Sequence, residues 1–167
     1  MKYVAMLRGI NVSPTTRVAM ADLRAAFGKY TDVETILQSG NVVFSAPSFG
    51  PSALVALEDE IANKTGFEAR VIVLPADGFR AVVAANPLTG DDPSRLVTTF
   101  LDGPPPARLT LPGDLGDEKI VVTDAAIYQW CPNGVSKSKL TPAWWKRLGP
   151  LATGRNQRTL EKIAALL

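Results

Sequence analysis

The first 75 residues alternate between apolar runs of strand length and segments with helical spacing. Tyr3 to Arg8 is a β-branched and apolar run, and the polar stretch Gly9 to Arg17 behind it reads as a long loop. From Val18 the spacing changes: Met20, Leu23, Phe27 and Tyr30 recur every three or four residues, which predicts a helix with one face on a core. Val33 to Gln38 and Val42 to Ser45 read as paired strands around the turn residues Ser39-Gly40-Asn41. After the breaker-rich stretch Pro47 to Ser52, Leu54, Leu57 and Ile61 mark a second amphipathic helix ending near Gly66, and Ala69 to Leu74 is a fourth strand.

The order β-α-β-β-α-β predicts a ferredoxin-like unit, a four-stranded antiparallel sheet with two helices on one face. Both alternating sets of the first strand are apolar, Tyr3, Ala5 and Leu7 against Val4 and Met6. Both faces therefore need cover. The second half of the chain, or another subunit, is expected to supply it.

The second half begins with a short helix over Ala76 to Ala85 and continues with a strand over Leu96 to Leu101. Pro104-Pro105-Pro106 and the stretch Pro112 to Asp117 are connections, and Ile120 to Thr123 pairs with Ala126 to Trp130 around Asp124. Two helices close the chain, over Pro142 to Leu148 and Asn156 to Leu167. The fold class expected is α+β, with two ferredoxin-like subdomains packed into one compact unit, residues 1–75 and 76–167. Trp130, Trp144 and Trp145 are expected at the seam between the subdomains.

Composition narrows the chemistry. A 167-residue chain with 46% apolar residues can bury a sizeable core. No apolar run reaches the roughly 20 residues of a membrane helix, and Arg8 interrupts the N-terminal apolar stretch where a secretory signal would continue, so a cytoplasmic protein without membrane association is expected. The chain has one cysteine, Cys131, and no histidine. A Cys/His zinc site, a histidine-based triad and an internal disulfide are therefore excluded, and no metal or cofactor is expected. Net charge is +2, but residues 1 to 124 hold 11 basic and 15 acidic groups whereas 125 to 167 hold 7 and 1. The C-terminal excess favours an anionic partner, a phosphorylated metabolite or nucleic acid.

Three segments are candidate ligand contacts. Arg8, Asn11 and Arg17 flank the loop after the first strand, and arginine offers paired donors suited to phosphate or carboxylate. Gln38, Ser39 and Asn41 form a polar hairpin tip. Lys137, Lys139, Arg155 and Asn156 lie in the basic C-terminal segment, where Asn156 suits the cap of the last helix. Whether the three segments form one site stays open, as does enzymatic activity. A histidine-free enzyme acting on a phosphate-bearing or acyl substrate would use Lys137 or Lys139, and a protein-interaction module would use Trp144 and Trp145 as anchors.

Leu-Arg-Gly-Ile-Asn-Val at 7 to 12, Met20 with Leu23, Gln-Ser-Gly-Asn-Val-Val-Phe at 38 to 44 and Thr-x-Arg-Asn-x-x-Thr at 153 to 159 resemble the bacterial family called domain of unknown function 1697. The resemblance runs over nearly the whole chain and implies two ferredoxin-like subdomains; it implies no established function. Two departures stand out. Ser13-Pro14-Thr15-Thr16-Arg17 replaces the family's Gly-Gly and basic residue, and Gln157-Arg158 replaces its Trp-Asn. The first departure stiffens the loop, and the second removes an aromatic contact.

Overall fold

The structure is a computed structural model that describes residues 1–9, 17–36 and 40–167. Its contacts divide the chain into two units, Met1–Ala81 with Lys162–Leu167, and Val82–Glu161.

The first unit carries β1 (Lys2–Arg8), α1 (Met20–Ala26), β2 (Thr31–Ile36), β3 (Asn41–Ser45), α2 (Pro51–Thr65) and β4 (Arg70–Pro75), and α3 (Ala76–Ala84) follows. Its sheet has the order β2-β3-β1-β4 with every pairing antiparallel, the arrangement of a ferredoxin-like unit. Tyr3, Ala5 and Leu7 of β1 share a buried cluster with Leu23 and Phe27 and with Leu57 and Ile61 of α2, so the helical stripes read from the sequence do face one core. Val4 and Met6, on the other face of β1, are also fully buried. Both faces of the strand are thus covered.

Aromatic rings concentrate in this core. Phe44 lies 4.7 Å from Tyr30, 5.3 Å from Phe27 and 5.6 Å from Tyr3 between ring centroids. Burying each such side chain contributes about 1.5–3 kcal/mol. α2 starts with Pro51 at a position that needs no N–H donor and stops at Gly66, whose φ of 73° closes the helix in the left-handed region. Glu58 Oε2 accepts from both Arg70 Nε and the Val71 amide, which ties α2 to β4.

The second unit repeats the strand plan. It contains β5 (Leu96–Leu101), β6 (Lys119–Val122), β7 (Ala126–Trp130), a 3-10 turn at Val135–Lys137, α4 (Pro142–Lys146) and β8 (Ala152–Asn156), and α5 (Gln157–Ala164) follows. The sheet order is β6-β7-β5-β8, the same permutation as in the first unit, and all pairings are antiparallel. The fold is α+β with two similar subdomains. The helical crossovers are what differ: residues 102–118 between β5 and β6 contain no helix, and α4 has only five residues.

Two expectations are corrected here. Residues 152–156 form β8, where the sequence reading placed a connection and the first residue of the last helix; the helix begins at Gln157. Ala-Thr-Gly-Arg-Asn carries little strand propensity, and what holds it is pairing along β5, with Thr99 opposite Gly154. A Cβ on Gly154 would stand 3.1 Å from Thr99 Oγ1, so the glycine admits the close approach. The second correction concerns the tryptophans. Trp144 is 2% exposed and belongs to the second unit's own core with Leu101, Ile120, Ile127, Leu140 and Leu148, and its Nε1–H donates to the Thr110 carbonyl at 2.9 Å. Trp145 packs edge-on against it at 5.1 Å, and the ring of Trp130 lies over Gly90. Trp144 is not an exposed anchor.

Candidate functional site

In the first unit, Arg8 ends β1 opposite Arg70, and both Arg8 and Arg17 are exposed. Asn41 is fully buried, and its Nδ2 donates to the Ile36 carbonyl at 3.1 Å, bracing the β2–β3 hairpin. Gly40 accepts from the Leu7 amide at 2.8 Å and takes a φ of 83°, which explains glycine there. Asn11, Gln38 and Ser39 lie outside the described residues.

In the second unit, Arg155 is buried on β8. Its Nη1 donates to Thr153 Oγ1 at 2.7 Å and to the Gly154 carbonyl at 2.8 Å, and burial pushes the guanidinium down to about 10. Asn156 Oδ1 accepts from the Thr159 amide at 2.9 Å and so caps α5. Neither residue lines the pocket that Lys137 and Lys139 share.

That pocket, of about 180 Å³, is lined by Leu115 to Glu118 and by the segments 131–134 and 137–139. Its organising group is Glu118, a carboxylate only 9% exposed. Oε2 accepts from Ser138 Oγ at 2.5 Å, from Gln129 Nε2 at 3.2 Å and from the Cys131 thiol at 3.5 Å. Oε1 accepts from the Lys139 amide at 2.7 Å. A buried charge is tolerated only when donors surround it, and here four do. The result is a pinned loop: Glu118 fixes the backbone at 138 and 139, and the lysine side chains on either side of Ser138 are exposed and enter no salt bridge among the described residues.

The hydroxyl and thiol at this site are held in unreactive states. Ser138 Oγ donates to Glu118 while accepting from Gln129 Nε2 and the Leu140 amide, both at 3.1 Å, so its lone pairs are engaged. Burial, reinforced by the neighbouring Glu118 charge, pushes the Cys131 thiol up to about 12. The nucleophilic form is the thiolate, which that shift suppresses. The network holds the loop in one shape, with the side chains of Lys137 and Lys139 exposed beside it.

Sequence reasoning found the two lysines and missed Glu118, Gln129, Cys131 and Ser138 as a group. The available signal was Gln129, a polar residue inside the otherwise apolar run Ala126 to Trp130. A larger, shallower hollow of about 620 Å³ lies on the first unit's helices, lined by Ala25, Ala26, Gly28 and Ala56 with charged side chains around them. It contains no buried polar side chain, and small residues account for it by leaving the surface between α1 and α2 uncovered.

Fold and pocket together define an α+β protein of two ferredoxin-like units, with a small, polar, lysine-flanked pocket in the second. The chain belongs to the family described as protein of unknown function (DUF1697), whose model matches residues 1–128. The match includes Glu118 and ends before Lys137 and Lys139. Among solved structures, the chain is similar to a conserved bacterial protein, SP0830 from Streptococcus pneumoniae, with a TM-score of 0.72 and 22% identity over 99% of this chain and 97% of that one. That likeness shows the fold. No curated protein matches the chain. Among the described residues, no helix is long and apolar enough to cross a membrane, and no cluster of metal-ligating side chains is present.

Proposed function

We propose that this protein binds a small anionic ligand, a phosphorylated metabolite, in the pocket flanked by Lys137 and Lys139. The observation that carries the reading is the Glu118 network, which holds the lysine-bearing loop against the pocket through the Lys139 amide and Ser138. A loop already fixed in place binds with less ordering cost than a mobile one. Four donors offset part of the charge with which the Glu118 carboxylate would repel an anion, and the local excess of basic residues after position 125 adds a favourable field. At about 180 Å³ the pocket is below the range of about 300–1,000 Å³ typical of drug-sized ligands, which favours a phosphate group on a short chain over a whole nucleotide. The engaged Ser138 and the suppressed Cys131 favour binding over a covalent reaction.

Thermal unfolding against inorganic phosphate, short phosphorylated metabolites, nucleotides and oligonucleotides tests this. A ligand at about 100 times its Kd adds roughly 2.7 kcal/mol of stability. The expected result is a shift with small phosphates that persists at moderate salt and disappears in the Lys137→Ala/Lys139→Ala double variant, whose unliganded Tm stays unchanged. A shift unaffected by that variant, or none with any phosphate, overturns the proposal. Stabilisation by every oligonucleotide that fades with salt would mark backbone contact with nucleic acid instead.

A further inference from the structure

The same pocket has charges of both signs among its lining residues, Lys137 and Lys139 with Asp117 and Glu118. We propose that its ligand is a small anion that also carries an ammonium group, an inference that rests on the anion-binding reading and narrows its ligand class. The argument starts from the acceptor capacity of Glu118. A carboxylate accepts about four hydrogen bonds, two at each oxygen. Oε2 takes three donors, from Ser138, Gln129 and Cys131, whereas among the described residues Oε1 takes only the Lys139 amide. One acceptor position therefore remains on a group that lines the pocket.

An ionised carboxylate has no proton to give, so a ligand group that meets it must be a donor. A donor that is also positively charged gains most, because charge-assisted hydrogen bonds are roughly twice as strong as neutral ones. Asp117, exposed and next to Glu118 in the chain, adds a second negative charge to the pocket lining. A simple anion would gain from the lysines but would leave that position unfilled. The matching chemistry is an anion and an ammonium separated by a short chain, as in an aminoalkyl phosphate or an amino acid. The anionic end then lies at the lysines and the ammonium at Glu118.

Calorimetric titration of the wild-type protein with ethyl phosphate and with phosphoethanolamine isolates the ammonium, and a parallel pair, propionate and β-alanine, distinguishes a phosphate from a carboxylate as the anionic end. One hydrogen bond to a charged group corresponds to roughly tenfold or more in affinity. The amine-bearing member of one pair is therefore expected to bind at least about tenfold more tightly. In Glu118→Gln that preference should fall to within about twofold, while Lys137→Ala/Lys139→Ala weakens both members. Where Glu118→Gln does not fold, Asp117→Asn replaces it, with a partial loss of preference expected. Equal binding of both members in wild type overturns the ammonium inference and leaves anion binding standing. Absence of binding by every probe overturns both.

Discussion

Replacing Glu118 with glutamine changes one oxygen into an amide nitrogen and leaves the volume almost untouched, so its cost reads the hydrogen-bond network directly. The amide oxygen does best at the Oε2 position, where it still accepts from Ser138 Oγ, Gln129 Nε2 and Cys131. The new NH2 then faces the Lys139 amide, which donates at 2.7 Å in the wild type, and two donors oppose each other. Losing a hydrogen bond to a charged group costs about 1.5–3 kcal/mol, and the three surviving bonds weaken from charge-assisted to neutral. Relief from burying a charge offsets part of this. The balance is a destabilisation of about 3 kcal/mol. With a urea slope of about 2 kcal/mol/M, the midpoint falls by about 1.5 M at unchanged slope. Trp144, in the core of the same unit, reports the transition by fluorescence. A midpoint within about 0.3 M of wild type would refute the account, because it would mean that the carboxylate is not the acceptor that fixes the loop.

Other perturbations probe separate parts of the fold. Trp144→Ala removes a fully packed ring and its hydrogen bond to Thr110 and should cost about 3–5 kcal/mol in urea unfolding, whereas Trp145→Ala, on a half-buried ring, should cost less. Gly90→Ala places a Cβ 2.1 Å from the Trp130 ring, so the ring must turn; a loss of about 1–3 kcal/mol with a changed emission spectrum is expected. Asn156→Ala removes the cap of α5 and should cost about 1 kcal/mol by thermal unfolding. For Cys131 the folded thiol sits at about 12 against an ordinary value of 9.0. Its contribution is therefore fully present below pH 9.0 and is lost as pH rises towards 12, because the unfolded state ionises first. The stability of wild type relative to Cys131→Ser should fall over that window, and alkylation of the folded protein should keep accelerating past pH 9.0 with no plateau there.

The first unit was legible because its signals are local and agree with one another. The spacing of Leu23 and Phe27, the Gly66 stop of α2 and the apolar run of β1 each point to the element observed, whereas Pro51, read as part of the connection before α2, is its first residue. β8 was not legible, since Ala152 to Asn156 becomes a strand only through its partner β5. Trp144 carried no sign of which core it would join: aromatic residues clustered in sequence suit a seam, a partner contact or a local core equally. Lys137 and Lys139 stood out as charge. Their setting did not, because Glu118 lies about 20 residues upstream of Lys139 and nothing local marks a glutamate whose partners come from β7 and the loop after it.

That setting follows from how the two units differ in their crossovers. In the first, α1 and α2 occupy both crossovers and satisfy their own backbone groups internally. In the second, residues 102–118 lack a helix and the segment after β7 has only a 3-10 turn and the short α4, so backbone donors there need partners from elsewhere. Side chains supply them: Glu118 accepts from the Lys139 amide, Ser138 from Leu140, and Thr141 from Trp144. Polar side chains recruited to stand in for helix hydrogen bonds cannot pack as tightly as an apolar helix face, and the space left beside them is the pocket. The candidate site thus lies in the unit with the shortened crossovers because irregular backbone requires polar support, and polar support on a fixed loop is what a small charged ligand needs.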